Sequence, residues 1–309
     1  MKIFKKTPKF PFVRYRGAFL ICSGLLVTVS LLLLFTRGLN FGTDFKGGVK
    51  LQYLFPKEVS EGQIRDILSG LQVADASVVR YGAPKDRRLI IKVAKPSASE
   101  ENLSKIITPE LNKTFGDPGV VLEQEETVGP KVGQELRKKG MLAVLVSLFC
   151  MLVYIGFRFD FFFAPGAIVA LFHDVIVTLG IFALFQFEFN LTILAAVLTI
   201  VGYSINDTII VFDRIREHAR LIIPNTVDEV VNTSINETLS RTTITSATVF
   251  FVTAFLYFFG GETIKYFALA FMIGIITGTY STFSIACPIY LWCYRNIPKV
   301  ETYFGKKES

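Results

Sequence analysis

Six stretches of this chain are long and apolar enough to cross a bilayer, and that leaves few folds open. About 20 consecutive apolar residues span the hydrocarbon core as a helix. Inside it every backbone N–H and C=O must find its partner within the protein, so such runs fold as helices. The runs are Gly17–Thr36, Gly140–Phe157, Phe161–Phe187, Leu191–Phe212, Thr242–Gly261 and Tyr266–Tyr294. The longest are expected to tilt or to include interfacial ends. The first is too long for the apolar core of a signal peptide and has no small-x-small site before Arg37, so it is expected to remain in place. Composition agrees: 51% of the 309 residues are hydrophobic, 30 are Phe, and the mean hydropathy is +0.47, more than a soluble domain carries.

The net charge of +7 does not point to nucleic acid, because the basic residues cluster beside the apolar runs. Residues 1–16 hold Lys2, Lys5, Lys6, Lys9, Arg14 and Arg16 and no acid. The segment 213–241 and the tail 295–309 hold four basic residues each, and the short loops on the other side hold only Lys265. Lys and Arg accumulate on the cytoplasmic side, which predicts that both termini are cytoplasmic. The outer segment 37–139 carries 17 basic residues; long translocated segments escape the rule. Arg137, Lys138 and Lys139 abut the second run on the outer side, where headgroup contact is the one role the sequence suggests. The four cysteines lie in or at the end of apolar runs, which predicts neither a disulfide framework nor a metal site.

The outer segment reads as a small α+β domain. Val49–Phe55 alternates like a strand, and Ser60–Gln72 reads as a helix with Ser60 and Gln63 in capping-box positions. Ala76–Tyr81 and Arg88–Val93 are strand-like across a turn at Gly82–Asp86. Ser99–Phe115 reads as a helix disturbed at Pro109, and Val120–Glu125 as a last strand. The order β-α-β-β-α-β is that of a split, ferredoxin-like sheet. The expected fold is therefore a polytopic α-helical membrane protein with six spans and one ferredoxin-like extracytoplasmic domain. Between the fourth and fifth spans, 213–241 reads as an amphipathic cytoplasmic elbow lying along the membrane and broken at Pro224-Asn225.

Against that background one acidic residue stands out. Asp207 lies inside the otherwise uncharged fourth run, where a carboxylate costs roughly 2.5–3.5 kcal/mol. Such residues serve as proton relays, ion ligands or buried counter-charges. Asn206 precedes it and Tyr203 lies one turn back on the same face. Gly202 and Ser204 are small enough to let a neighbouring helix approach. Six residues before Asp213, Asp207 sits roughly 9 Å inward of the cytoplasmic exit. Arg241 opens the fifth run and is the expected partner, followed by the hydroxyls of Thr242, Thr243, Thr245, Ser246 and Thr248. His173 and Asp174 form an ionisable pair near the middle of the third run, where His could change charge near neutral pH. With two His in the chain and no HExxH motif, neither a metal nor a cofactor is expected. Gly274 and Gly278 form a GxxxG packing face. Gly42, Gly47 and Gly48 permit a sharp turn into the outer domain, with Asp44 and Lys46 placed for local pairing.

Five blocks carry a family resemblance: Phe41–Gly48 (FGTDFKGG), Val128–Leu136 (VGPKVGQEL), Leu171–Phe182 (LFHDVIVTLGIF), Val201–Glu217 (VGYSINDTIIVFDRIRE) and Ser240–Ala247 (SRTTITSA). In this order they resemble the signature blocks of SecF in the SecD/SecF family of bacterial protein-export membrane subunits, which has the resistance-nodulation-division fold. The resemblance implies a non-enzymatic subunit of the bacterial inner membrane. It implies pairing with SecD, association with the SecYEG channel, and action on preprotein after the SecA ATPase. It also implies proton flow coupled to movement of the outer domains, with the proton-path carboxylate at Asp207 and the essential arginine at Arg241. Three rivals remain at this stage: half of a proton-driven small-molecule exporter, a non-coupling structural subunit, and an intramembrane serine protease built on Ser204 and His173.

Overall fold

A computed structural model of the chain describes residues 7–71, 73, 76–82, 84–94, 103–116, 119–158, 162–221 and 226–296. The first spanning helix is α1 (Arg16–Thr36). It leads through β1 (Asn40–Phe41) and the single turn α2 (Thr43–Lys46) into an α/β domain. That domain comprises β2 (Gly48–Leu54), α3 (Glu61–Gly70), β3 (Ala76–Tyr81), β4 (Arg88–Ala94), α4 (Leu103–Phe115) and β5 (Val121–Val128). Then follow α5 (Pro130–Arg158), α6 (Ala164–Phe185), β6 (Glu188–Phe189), α7 (Leu191–Leu221), α8 (Val227–Phe259) and α9 (Gly261–Ser281). α9 runs through a π turn at Thr282–Ala286 directly into α10 (Cys287–Asn296). Among the described residues six helical stretches have the length and hydropathy to cross a membrane.

The domain has the expected ferredoxin-like topology. Its sheet runs β3-β4-β2-β5 with every neighbour antiparallel. Leu51 and Tyr53 of β2 and Ile91 of β4 meet Ile64 and Leu68 of α3 and Ile107 and Leu111 of α4 in a sealed core. The capping box forms: Ser60 Oγ accepts from Gln63 N (3.3 Å) and Gln63 Oε1 accepts from Ser60 N (3.1 Å). α4 runs through Pro109 without a break. Leu103, Ile107 and Leu111 anchor one face in the core while Pro109 lies on the exposed side, so packing outweighs the lost backbone bond.

In the bundle, α6, α7 and the α9–α10 helix are central, with about half of their most apolar stretches buried (50–56%). α1, α5 and α8 lie outside, 11–17% buried, and leave apolar surface for lipid or partner subunits. The structure revises two boundaries. α5 starts at Pro130, ten residues before its apolar run, so 130–139 is a continuation of the spanning helix rather than part of the outer domain. Pro at the first helical position starts the helix there, and Arg137 lies over the Phe41 ring, 5.4 Å from its centroid. The elbow at 213–241 is not a separate helix along the membrane. α7 and α8 extend through it, and α8 starts at a capping box between Thr226 and Glu229. An ion pair of Arg214 and a hydrogen-bond contact of His218, both with Glu237, hold the two extensions together. The break at Pro224-Asn225, the start of the third run at Phe161 and the tail beyond Asn296 lie outside the described residues.

The junction between domain and bundle was not foreseen from sequence. β1 pairs in parallel with β6 of the α6–α7 connection. Arg37 donates to Leu184 O (2.8 Å), and Lys92 of the sheet pairs with Glu188. Asp44 and Lys46 form no ion pair among the described residues. Asp44 Oδ2 instead accepts from Leu191 N (2.9 Å) at the start of α7, where free backbone N–H groups and the helix dipole favour a carboxylate. Gly47 turns the chain into β2 with φ +79°, and a Cβ there would stand 2.8 Å from Pro130 Cα at the start of α5.

Candidate functional site

The α7–α9 contact sets the site. A Cβ on Gly274 would stand 2.3 Å from Ile200 Cγ1, and one on Gly278 3.0 Å from Ser204 Cβ. The GxxxG face therefore packs on α7 at a distance larger residues could not share. It brings the hydroxyls of α9 against the polar positions of α7.

Asp207 is 1% exposed. Ser246 of α8 donates Oγ–H to Asp207 Oδ2 (3.2 Å), and Ser246 Oγ lies 2.9 Å from Thr279 Oγ1 of α9. Asp207 Oδ1 has no hydrogen-bond partner among the described residues. An ionised carboxylate so poorly satisfied in a desolvated interior is costly, and taking up a proton relieves that cost.

A second buried carboxylate sits on the other side of the same contact. Asp174 of α6 is fully buried. Its Oδ1 lies 2.9 Å from His173 Nδ1, and its Oδ2 accepts from Ser204 Oγ (2.6 Å) and Ser281 Oγ (2.8 Å). Ser204 is three residues before Asp207 on α7, and Ser281 is two after Thr279, so the two clusters share both helices. Thr208 and Thr282 add a contact of 3.1 Å between the same helices. The π turn begins directly after Ser281, an irregularity often found at functional sites.

The remaining expected residues divide. Tyr203 is half-buried and packs edge-on against Phe271 of α9 (5.5 Å). Asn206 and Gly202 face outward, and among the described residues nothing lies within 4 Å of a Cβ on Gly202. Arg241 is exposed on α8, five residues before Ser246, and forms no ion pair with Asp207 among the described residues. Of the α8 hydroxyls, Thr242 and Ser246 are buried, while Thr243, Thr245 and Thr248 are exposed. Gly42, Gly47, Gly48 and Asp44 are at the junction, apart from the carboxylates. Sequence reasoning missed Ser281, Thr279 and Thr282, because single hydroxyls in an apolar run carry no pattern. It also missed the His218–Glu237 contact, although a buried His near a span end could have been flagged. The protease reading is not supported: Ser204 and His173 both bond to Asp174, whereas a hydrolytic triad needs His between Ser and the acid.

The family model described as protein export membrane protein SecD/SecF, C-terminal, matches residues 108–296, and the SecD/SecF GG motif matches residues 32–55. The chain belongs to the SecD/SecF family. It is 43% identical to protein translocase subunit SecF of Calditerrivibrio nitroreducens, over 93% of this chain and 94% of that one. With the SecF of Desulfurispirillum indicum it shares 44% identity over 89% of each chain. The crystal structure of SecDF from Thermus thermophilus, a translocon-associated membrane protein, superposes with a TM-score of 0.82 at 34% identity over 95% of this chain. SecDF in its super-membrane-facing form gives 0.68 at 35%. In both cases this chain spans 40% of the SecDF chain. The GG motif of the family coincides with the turn at Gly47 and Gly48.

Proposed function

We propose that this chain is the SecF-type subunit of a bacterial Sec protein-export machine. With SecD it uses the proton-motive force to promote late steps of preprotein movement through the SecYEG channel, with SecA and preprotein as indirect partners. Both termini face the cytoplasm and the α/β domain lies outside the inner membrane; the basic residues at 1–16 and 295–309 support this orientation. The similarity to relatives named SecF over about nine-tenths of the chain supports a SecF-type role beside SecD in the membrane. The outward residues Gly202, Asn206, Arg241, Thr243 and Thr245 supply the small and polar surface such a contact uses.

The observation that carries the mechanism is Asp207: buried, held at one oxygen by Ser246 and without a hydrogen-bond partner at the other among the described residues. Asp207 takes a proton from the outer side and loses it to the cytoplasm. In the ionised state it draws on Ser246, Thr279 and the through-space charge of Arg241. In the neutral state that demand disappears and α7, α8 and α9 repack. Tyr203, Asn206, His173 and Asp174 shape the field along the same path. α7 transmits the change, because the helix that carries Asp207 is held at its other end by Asp44. The potential supplies about 2.3 kcal/mol per charge per 100 mV, enough for one or two protons to bias a two-state domain position.

The test is export into inverted membrane vesicles holding SecD, SecYEG and SecA. Asp207→Asn should remove the gradient-dependent completion of a stalled intermediate while SecD still co-purifies. Equal gradient dependence in wild type and variant would make this chain a structural subunit and move the proton path into its partner.

A further inference from the structure

Beyond the spanning runs, the extensions of α7 and α8 hold a titratable cluster that the mechanism above does not use. Glu237 of α8 accepts at Oε2 from Arg214 Nε (2.6 Å), and His218 Nε2 stands 2.9 Å from the same oxygen. Arg214 also donates to Glu217. A carboxylate only accepts, so in the neutral imidazole the proton is on Nε2 and the lone pair on Nδ1. His218 is 9% exposed, and Nδ1 has no hydrogen-bond partner among the described residues. An imidazole fixed at one nitrogen by an acid and open at the other is placed to accept a proton at the open nitrogen.

The register connects this base to Asp207. Arg214 and His218 follow Asp207 by 7 and 11 residues, so all three lie on one face of α7, with His218 about 16 Å along the axis. On α8, Ser246, Thr242 and Thr238 recur every fourth residue and are all buried. Ser246 donates to Asp207, Thr242 Oγ1 has no partner among the described residues, and Thr238 adjoins Glu237. A buried hydroxyl without a protein partner is where an ordered water binds. Buried hydroxyls thus line the interval between the carboxylate and the imidazole.

We propose that His218, set by Glu237, is the cytoplasmic exit base of the proton path; this rests on the reading of Asp207 as the proton carrier. The O–H bond of neutral Asp207 breaks, Ser246, Thr242 and intervening water each pass on one proton as they accept another, and a new N–H bond forms at His218 Nδ1. Glu237 stays ionised and stabilises the imidazolium, which then gives its proton to cytoplasmic water. Around the pair, Arg214 shares its face of α7, and Glu217 is exposed beside it and accepts from Arg214. Arg241 is one turn along α8. Asp213 is paired with Arg216 and with Arg158 of α5. Asp228, on α8 beyond Glu237, pairs with Arg16 of α1 and Arg295 of α10. Asp213 and Asp228 are thus held by their own arginines, and Glu237 is the acid that contacts His218.

The experiment uses the same inverted vesicles, whose cytoplasmic face is outside. His218→Asn keeps a polar side chain but removes the base. The expected result is loss of the gradient-dependent step at about pH 7, restored by imidazole in the external buffer, with SecD still co-purifying. Glu237→Gln should show a weaker loss with the same rescue. Asp207→Asn should lose the step without rescue. A His218→Asn protein that keeps the full step from about pH 6 to about pH 8 overturns the proposal. So does a loss that imidazole does not restore, which would make His218 structural. If Asp207→Asn retains the step, the carrier and its exit both fall; if only His218→Asn retains it, the exit alone falls.

Discussion

The α/β domain and the helix bundle sort their residues in opposite ways. In the domain Leu51, Ile64, Ile91 and Leu111 are sealed inside, while Lys50–Glu126 and Arg88–Glu123 pair on the surface. In the bundle Asp174, Asp207, Ser204 and Ser281 are inside, while Phe149, Phe157, Phe251 and Phe259 are outside. The difference is one of solvent. Water drives apolar groups together, so the hydrophobic effect arranges the domain. Lipid tails exert no such force between helices, so close packing and polar contacts hold the bundle. A buried carboxylate would be an anomaly in the first region; in the second it is where function is expected.

The sharpest way to break this contrast is to give the bundle the core of the domain. Asp174→Leu fits an apolar interior but orphans His173, Ser204 and Ser281 at about 1–3 kcal/mol each. Its melting temperature in detergent should fall the furthest of any variant considered. Adding Ser204→Ala, Ser281→Ala and His173→Phe should return most of the loss. If Asp174→Leu alone melts like wild type, the polar cluster is not what joins these helices. The converse change, Leu51→Ala, should cost about 2–5 kcal/mol in the domain. It should speed proteolysis within 48–128 of the full-length protein and leave the bundle's transition in place. A shift of both transitions together would mean that the two regions do not obey separate rules.

Smaller effects sharpen the comparison at the domain surface. Ser60→Ala removes the α3 cap and should cost about 1 kcal/mol, read as faster amide exchange in the first turn of α3. The Arg88 guanidinium, and then the Gln52 amide, hold the Glu123 carboxyl below its usual range. A lowered folded value stabilises above the unfolded value of about pH 4.3, and that stabilisation is lost as pH falls through the folded value. The pair is partly exposed, so the effect should be small and weaker in high salt. Glu123→Gln should flatten this part of the acid profile; an unchanged profile would show that the pair contributes nothing.

Much of this was legible in the residues. Alternation in Val49–Phe55, the Ser60–Gln63 box and the strand pair around Gly82–Asp86 gave the domain its topology, because local hydrogen bonding and period-two burial act over a few residues. Asp207 was legible for the opposite reason, as a charge where the local pattern forbids one. The pairing expected of Arg241 with Asp207 and of Asp44 with Lys46 did not follow from spacing. Arg241 has its side chain outside the bundle, and Asp44 had a helix N-terminus 147 residues away to satisfy.

The sequence by itself determined that this chain spans a membrane six times, carries a ferredoxin-like domain after the first span and buries an acid in the fourth. Each of these follows from composition and period along a continuous stretch. Only the tertiary structure decided that Asp207 meets Ser246 and Thr279, that Asp174 gathers three hydroxyl and imidazole partners, and that Asp44 caps the helix carrying the central carboxylate. Those contacts depend on which faces of separate helices meet, and that choice is made by packing: two glycines on α9 set how near α7 can come, and the polar groups brought within reach then pair because burial removes them from bulk solvent.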